Sequence, residues 1–122
     1  MPFMLLVIEK PEEKHEVAVA EGQRRYDRMM RFADDLRRRG VLVAGESLGS
    51  DANGTRIQKR GGKRMLTDGP FAEAKEIVGG FFLLDIPSRE EAMAVMDDCP
   101  ASEWSMLELR EVGPCWDTAR RS

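Results

Sequence analysis

The stretch Thr67-Asp68-Gly69-Pro70-Phe71-Ala72-Glu73-Ala74-Lys75-Glu76-Ile77-Val78-Gly79-Gly80-Phe81-Phe82-Leu83-Leu84-Asp85-Ile86 decides how the rest of the chain is read. A turn with one carboxylate leads through a short charged segment into the longest apolar run of the chain. Glycine is permissive and proline lacks an amide donor, so no strand continues through Gly69-Pro70. Residues 72–76 predict a single helical turn. Residues 77–86 predict the central strand of a sheet. Gly79-Gly80 inside that strand predicts a bulge, or a close approach by another backbone or a ligand.

Upstream of this stretch, Thr55-Arg56-Ile57-Gln58-Lys59 and Lys63-Arg64-Met65-Leu66-Thr67 flank Arg60-Gly61-Gly62 and predict a hairpin. Residues 49–54 are dense in turn formers. Residues 41–48 predict a strand, with Leu42, Ala44, Glu46 and Leu48 sharing one side if no bulge intervenes. Between about residues 21 and 39 the apolar period lengthens. Tyr26, Met29, Met30 and Ala33 fall at i, i+3, i+4, i+7, and Met29, Phe32, Ala33 and Leu36 do the same, which predicts an amphipathic helix stopped by Gly40. Residues 3–8 are a short apolar run and predict a strand covered on both faces. Residues 10–16, polar and broken by Pro11, predict a loop or lid over a strand end.

Downstream, Ser88 and Glu91 can form a capping box. Ala92, Val95, Met96 and Cys99 are the buried stripe of the helix it starts, and Pro100 ends it. Residues 104–112 predict the last strand, with Leu107 and Leu109 on one side and Glu108, Arg110 and Val112 on the other. Residues 113–122 have no periodicity and predict a tail, so the domain spans 1–112. Trp116 in the tail is expected to pack on the domain or on a partner chain.

The order strand, helix, strand, hairpin, strand, helix, strand is a ferredoxin-like split βαβ pattern with an inserted hairpin. It predicts an α+β fold: an antiparallel sheet with two helices on one face. The other face is left bare, and a second copy related by a two-fold axis would cover it, giving a homodimer.

The 122 residues suit one domain. A formal net charge of -3 gives no general attraction to nucleic acid. The one dense basic cluster, Arg37-Arg38-Arg39, sits at the predicted helix end, where cations are favoured. No run approaches the length needed to cross a bilayer, and residues 1–8 lack the marks of a leader, so a cytoplasmic protein is expected. Cys99 and Cys115 are separated, and reduced thiols fit that compartment. One histidine and two distant cysteines make no zinc site. No phosphate-cradling or dinucleotide fingerprint is present, so no cofactor is expected.

The block from Thr67 to Glu76, followed by Gly79-Gly80-Phe81, resembles the DGPF-type branch of the YCII-related proteins. Phe3-Met4-Leu5-Leu6, Gly40-Val41-Leu42-Val43-Ala44-Gly45-Glu46-Ser47-Leu48, Glu91-Ala92, Cys99-Pro100 and Leu107-Glu108-Leu109-Arg110 also resemble that family's blocks. The resemblance implies a dimeric α+β barrel, related to small dimeric isomerases. Some such relatives stand beside extracytoplasmic-function sigma factors, and others are dehydrochlorinase-like. Better known YCII members are thought to use a His-Asp pair. Asp68 matches the motif's aspartate. Many DGPF relatives carry a histidine after Cys-Pro, where this chain has Ala101; the single histidine, His15, lies in a different loop.

Two functions follow. In the first, a pocket near the Asp68-Gly69-Pro70-Phe71 turn supports cofactor-independent acid–base chemistry, isomerase- or lyase-like, on a small organic molecule. Asp68 in a rigid turn beside Phe71 would be the base, and Glu46 would complete a carboxylate pair. Lys75 and Glu73 would hold the ligand, with Phe71 and Arg110 contributing to its site. In the second, the chain is a non-catalytic small-molecule-binding or regulatory module. Each carboxylate also has a structural reading: Asp68 as an acceptor for its own turn amides, and Glu46 as a cross-sheet partner of Arg110.

Overall fold

The computed structural model describes residues 2–116. A four-stranded antiparallel sheet has the order β2-β5-β1-β6, where β1 is Pro2–Glu9, β2 Leu42–Ser47, β5 Ile77–Asp85 and β6 Met106–Glu111. Helices α1 (Pro11–His15), α2 (Val19–Arg38) and α3 (Arg89–Asp98) connect these strands. β3 (Thr55–Arg60) and β4 (Lys63–Asp68) form a separate two-stranded sheet. The arrangement is a mixed α+β fold consistent with the ferredoxin-like class.

The core lies on one face of the sheet. Phe3, Leu5 and Val7 of β1 and Phe82 and Leu84 of β5 point into it, against Phe32, Ala33 and Leu36 of α2 and Ala92 and Val95 of α3. Phe32 meets Phe82 edge to face at 5.3 Å, which fixes α2 over β5. Leu5, Leu36 and Leu84 are fully buried, each contributing about 2 kcal/mol by removal of its apolar surface from water. β1 is therefore not equally covered on both faces: Met4, Leu6 and Ile8 alternate with the buried set and are only half-buried. Strand period, not the continuous apolar run, decides which of them reach the core.

Other local differences have equally local causes. Residues 11–15 form a short helix because Pro11 occupies its first turn, where no amide donor is needed. Residues 72–76 form no helix; turn bonds from Ala72 N–H to the Pro70 carbonyl and from Ala74 N–H to the Phe71 carbonyl stand in place of the expected helical turn. β2 is bulged between Leu42 and Ala44, so Leu42 pairs with core-facing Leu84 while Ala44 pairs with Leu83 and Glu46 with Phe81. The four-residue row of β2 is thus split, with Ala44 and Glu46 on the bare face. The expected bulge at Gly79 is present: Val7 pairs with Gly80 and Ile8 with Val78. Gly40 has φ 74° and ends α2, and Gly61 and Gly62, at φ 54° and 78°, turn the hairpin.

The Arg37-Arg38-Arg39 cluster is paired along its own helix with Asp34 and Asp35. Ser88 caps α3 by accepting from Glu91 N–H at 3.2 Å. Of the expected tail, residues 117–122 lie outside the described residues; residues 113–116 contain no helix or strand, and Trp116 is 70% exposed rather than packed on the domain.

Candidate functional site

Strand alternation carries Phe3, Leu5 and Val7 into the core and brings Glu9 to the same side at the end of β1. The Gly79 bulge lies opposite, and it matters that the residue there has no side chain. A Cβ on Gly79 would fall 2.2 Å from both Cδ and Oε1 of Glu9. The Glu9 carboxylate therefore rests where a side chain of β5 would otherwise stand. Its buried Oε2 has the Lys14 ammonium at 3.0 Å as counter-charge, delivered by α1. The short helix that Pro11 permits is what folds Lys14 back over the strand end.

Glu9 and Lys14 border a cleft of about 600 Å³, a size suited to a small organic molecule. Val7, Gly80 and Phe82 of the sheet line it, as do Tyr26 and Met29 of α2 and Trp104. Tyr26 and Met30, placed by their spacing on the buried stripe of α2, are 49% and 43% exposed and border the cleft instead. Trp104 is held by two guanidinium groups, those of Arg25 and Arg28, each 5.2 Å from the ring centroid. Glu21 orients Arg25 through Nε at 3.2 Å, and Glu103 orients Arg28.

Next to the cleft stands a His-Asp pair. His15 Nε2 ends α1 and lies 3.4 Å from Asp51 Oδ1. Asp51 is buried in the turn before β3, and its Oδ2 accepts the Phe71 amide at 3.1 Å. The Thr67–Phe71 motif is the clamp around it. Gly69 N–H donates to the Gly54 carbonyl at 2.8 Å, and Gly54 N–H donates to the Asp51 carbonyl at 2.9 Å. The Phe71 ring lies against Gly54, with the Arg56 guanidinium 4.0 Å above its centroid. The Phe71 amide bond holds the Asp51 carboxyl below the ordinary 3.8, and His15 acts in the same direction.

This has a pH consequence. A carboxyl whose folded pKa is depressed contributes stability above its unfolded value and loses it as pH falls toward the folded one. The melting temperature of the wild type should therefore fall more steeply than that of Asp51→Asn as pH drops from about 5 to about 3. Parallel acid slopes for the two proteins in thermal melts would show that the Phe71 and His15 contacts do not bias Asp51 ionisation.

The structure distributes the six residues singled out from the sequence rather than gathering them. Asp68 ends β4 and accepts the Thr55 hydroxyl at 3.0 Å in an exposed position. Phe71 gives its amide to Asp51, while Glu73 and Lys75 are exposed on the irregular segment that follows. Glu46 alone borders the cleft, and its register aligns its side chain with Phe81 on the bare face. Arg110 lies on β6, at the opposite sheet edge from β2, and pairs with Glu108 at 3.1 Å, so a Glu46–Arg110 pair is not formed. Cys99 is buried, and that burial pushes its thiol pKa up; it is free, as is exposed Cys115. A nucleophilic role does not suit Cys99.

Glu9, Lys14, Arg25, Asp51 and Trp104 are the site residues that motif reading missed. For Glu9 a signal exists: it continues the Phe3, Leu5, Val7 period by one step and faces a glycine pair. Asp51 has none, because an aspartate in a turn of Gly, Ser and Asn reads as a turn former.

The fold and site define a small α+β protein whose sheet is bare on one face and carries a ligand-sized cleft on the other. The model of the YCII-related domain matches residues 1–115, and the chain belongs to that family. No curated protein matches the chain. Among the described residues no helix is long and apolar enough to cross a membrane.

Proposed function

We propose that the chain is a small cofactor-independent enzyme, isomerase- or lyase-like, that binds a small organic molecule in the cleft and moves a proton with Glu9. The observation that carries this is the position of Glu9: a carboxylate set into the wall of a 600 Å³ cleft, its charge answered by Lys14 at 3.0 Å. A general base needs a fixed carboxylate beside bound substrate, and a nearby ammonium stabilises the anion left by proton removal. His15 and Asp51 follow Lys14 and Ser50, which border the cleft, by one residue each. They are placed to orient α1, and with it Lys14. In this reading Asp68, Gly69 and Phe71 act through the clamp on Asp51 rather than on substrate.

The working unit in this proposal is a cytoplasmic homodimer, a dimeric α+β barrel of the DGPF branch built on split βαβ halves. The motif residues from Thr67 to Glu76 support the branch. Two surfaces support the dimer. The bare sheet face carries half-buried Met4, Leu6, Ile8, Phe81 and Leu83. The hairpin β3–β4 is exposed along its whole length, with Ile57, Met65 and Leu66 open to solvent, and an isolated two-stranded hairpin is only marginally stable in water. Sedimentation at micromolar protein should give twice the chain mass, and Leu6→Arg should reduce it to one. A wild-type mass of one chain would remove the dimer from the proposal.

The chemistry is tested without knowing the substrate. Small activated carbon acids, such as β-keto acids and unsaturated lactones, are incubated with the protein in D2O, and proton NMR follows exchange at carbon. Exchange that requires Glu9 supports the enzyme. Ligands that protect the protein thermally but never exchange would favour the alternative, a binding or regulatory module.

A further inference from the structure

Charged side chains of both signs border the cleft. Lys10, Lys14, Arg25 and Arg37 border it, and so do Glu9, Glu13 and Glu46. Lys14 answers Glu9 at 3.0 Å and Lys10 answers Glu13 at 4.0 Å. The register of β2 turns Glu46 toward the bare face, in line with Phe81. Arg25 and Arg37 are paired from outside the cleft lining, with Glu21 and Asp34. Counted on the lining alone, four cations stand against three carboxylates, although the chain as a whole is negative.

Of the two guanidinium groups, Arg25 is better prepared for a ligand. Glu21 engages it through Nε, and the Trp104 ring lies 5.2 Å from its Cζ, so its plane is set from two sides. Its terminal nitrogens offer the parallel donors that match a carboxylate, and a guanidinium already held in place loses little freedom on binding. Val7, Tyr26, Met29 and Phe82 give the cleft an apolar and aromatic wall, with Ser47, Ser50 and Ser105 also on its lining.

We infer that the cleft takes a small carboxylic acid with a flat apolar body, its carboxylate on Arg25 beside Trp104 and its body over Phe82 and Met29. This rests on the cleft being the ligand site, as proposed above. It makes Arg25 the residue that selects acids over neutral analogues, a role separate from proton transfer at Glu9. The paired Glu9 and Lys14 leave an arriving anion little net repulsion.

Calorimetric titration with phenylacetate and with phenylacetamide, its neutral amide, tests this. The acid should bind about tenfold or more tightly than the amide, a difference typical of one charge-assisted contact. Arg25→Gln should bring the acid down to the amide's affinity and leave the amide unchanged; both wild type and variant are checked for equal melting temperature. Equal affinity for acid and amide, undiminished acid binding by Arg25→Gln, or no binding of millimolar phenylacetate would each overturn the inference. Met30→Trp, which fills the cleft from an exposed position on α2, separates that failure from failure of the cleft itself. If acid and amide bind equally and both are lost in Met30→Trp, the cleft stands and only the charge selection falls. If both bind Met30→Trp as they bind the wild type, the cleft reading falls too.

Discussion

Gly69→Ala should destabilise the protein by about 3 kcal/mol or more, in the upper range for single substitutions. A Cβ at Gly69 would lie 1.7 Å from the Asp51 carbonyl oxygen and 2.8 Å from its carbonyl carbon. Both are backbone atoms, and neither is free to retreat. The Asp51 carbonyl accepts Gly54 N–H, and the Gly54 carbonyl accepts Gly69 N–H, so the two loops are laced together at the point of contact. Relief of the clash must break that lacing, and with it the Phe71 amide bond to Asp51. Gly113→Ala is the control, because no atom lies within 4 Å of a Cβ there. Urea midpoints measured for both variants decide the matter. A Gly69→Ala midpoint close to that of Gly113→Ala would mean that the 51–54 and 67–71 loops are not in contact as described.

Glu9→Gln should slow proton exchange at substrate carbon by about two to four orders of magnitude, the range a positioned general base contributes. The amide keeps the size of the carboxylate but cannot take the proton. It also leaves Lys14 without its counter-charge, so binding of an acid should hold steady or strengthen while exchange is lost. That opposition separates catalysis from binding. Gly79→Ala gives an independent check. Its new Cβ would meet the Glu9 carboxyl at 2.2 Å, and because that group ends a flexible side chain, Glu9 would swing away with little cost to the fold. Exchange should fall although the carboxylate is still present. A Glu9→Gln protein that exchanges as fast as the wild type removes Glu9 as the base.

Much of the scaffold was legible from residue order. The β1 strand, the period-2 row of β6, the Met29, Phe32, Ala33 and Leu36 stripe of α2, the Ser88 cap and the Gly61-Gly62 turn are local signals that appear where their residues place them, although β1 is covered on one face rather than two. Gly79-Gly80 carried the most information: of the two alternatives it predicts, the bulge is present and a backbone also comes close, the Glu46 carbonyl at Gly80, while the Glu9 side chain over Gly79 was not foreseen. The site was less legible for a physical reason. Its members come from the end of β1, α1, the turn before β3, the first half of α2 and the segment before β6. No spacing within any one of these marks them as partners.

The Thr67–Phe71 stretch shows the division clearly. Its residues alone established that a strand must stop at Gly69-Pro70 and another begin near Ile77, because permitted backbone angles and missing amide donors act within a few residues. They also drew attention to the carboxylate in the turn, Asp68. Only the tertiary structure decided that the turn serves a different carboxylate. Asp51, some twenty residues earlier, receives the Phe71 amide and the Gly69 contact, while Asp68 accepts a hydroxyl from Thr55 across the hairpin. Turn chemistry is written in neighbouring residues. Which buried acceptor an amide finds depends on how separate segments pack, and that is settled only when the sheet, α1 and the hairpin meet.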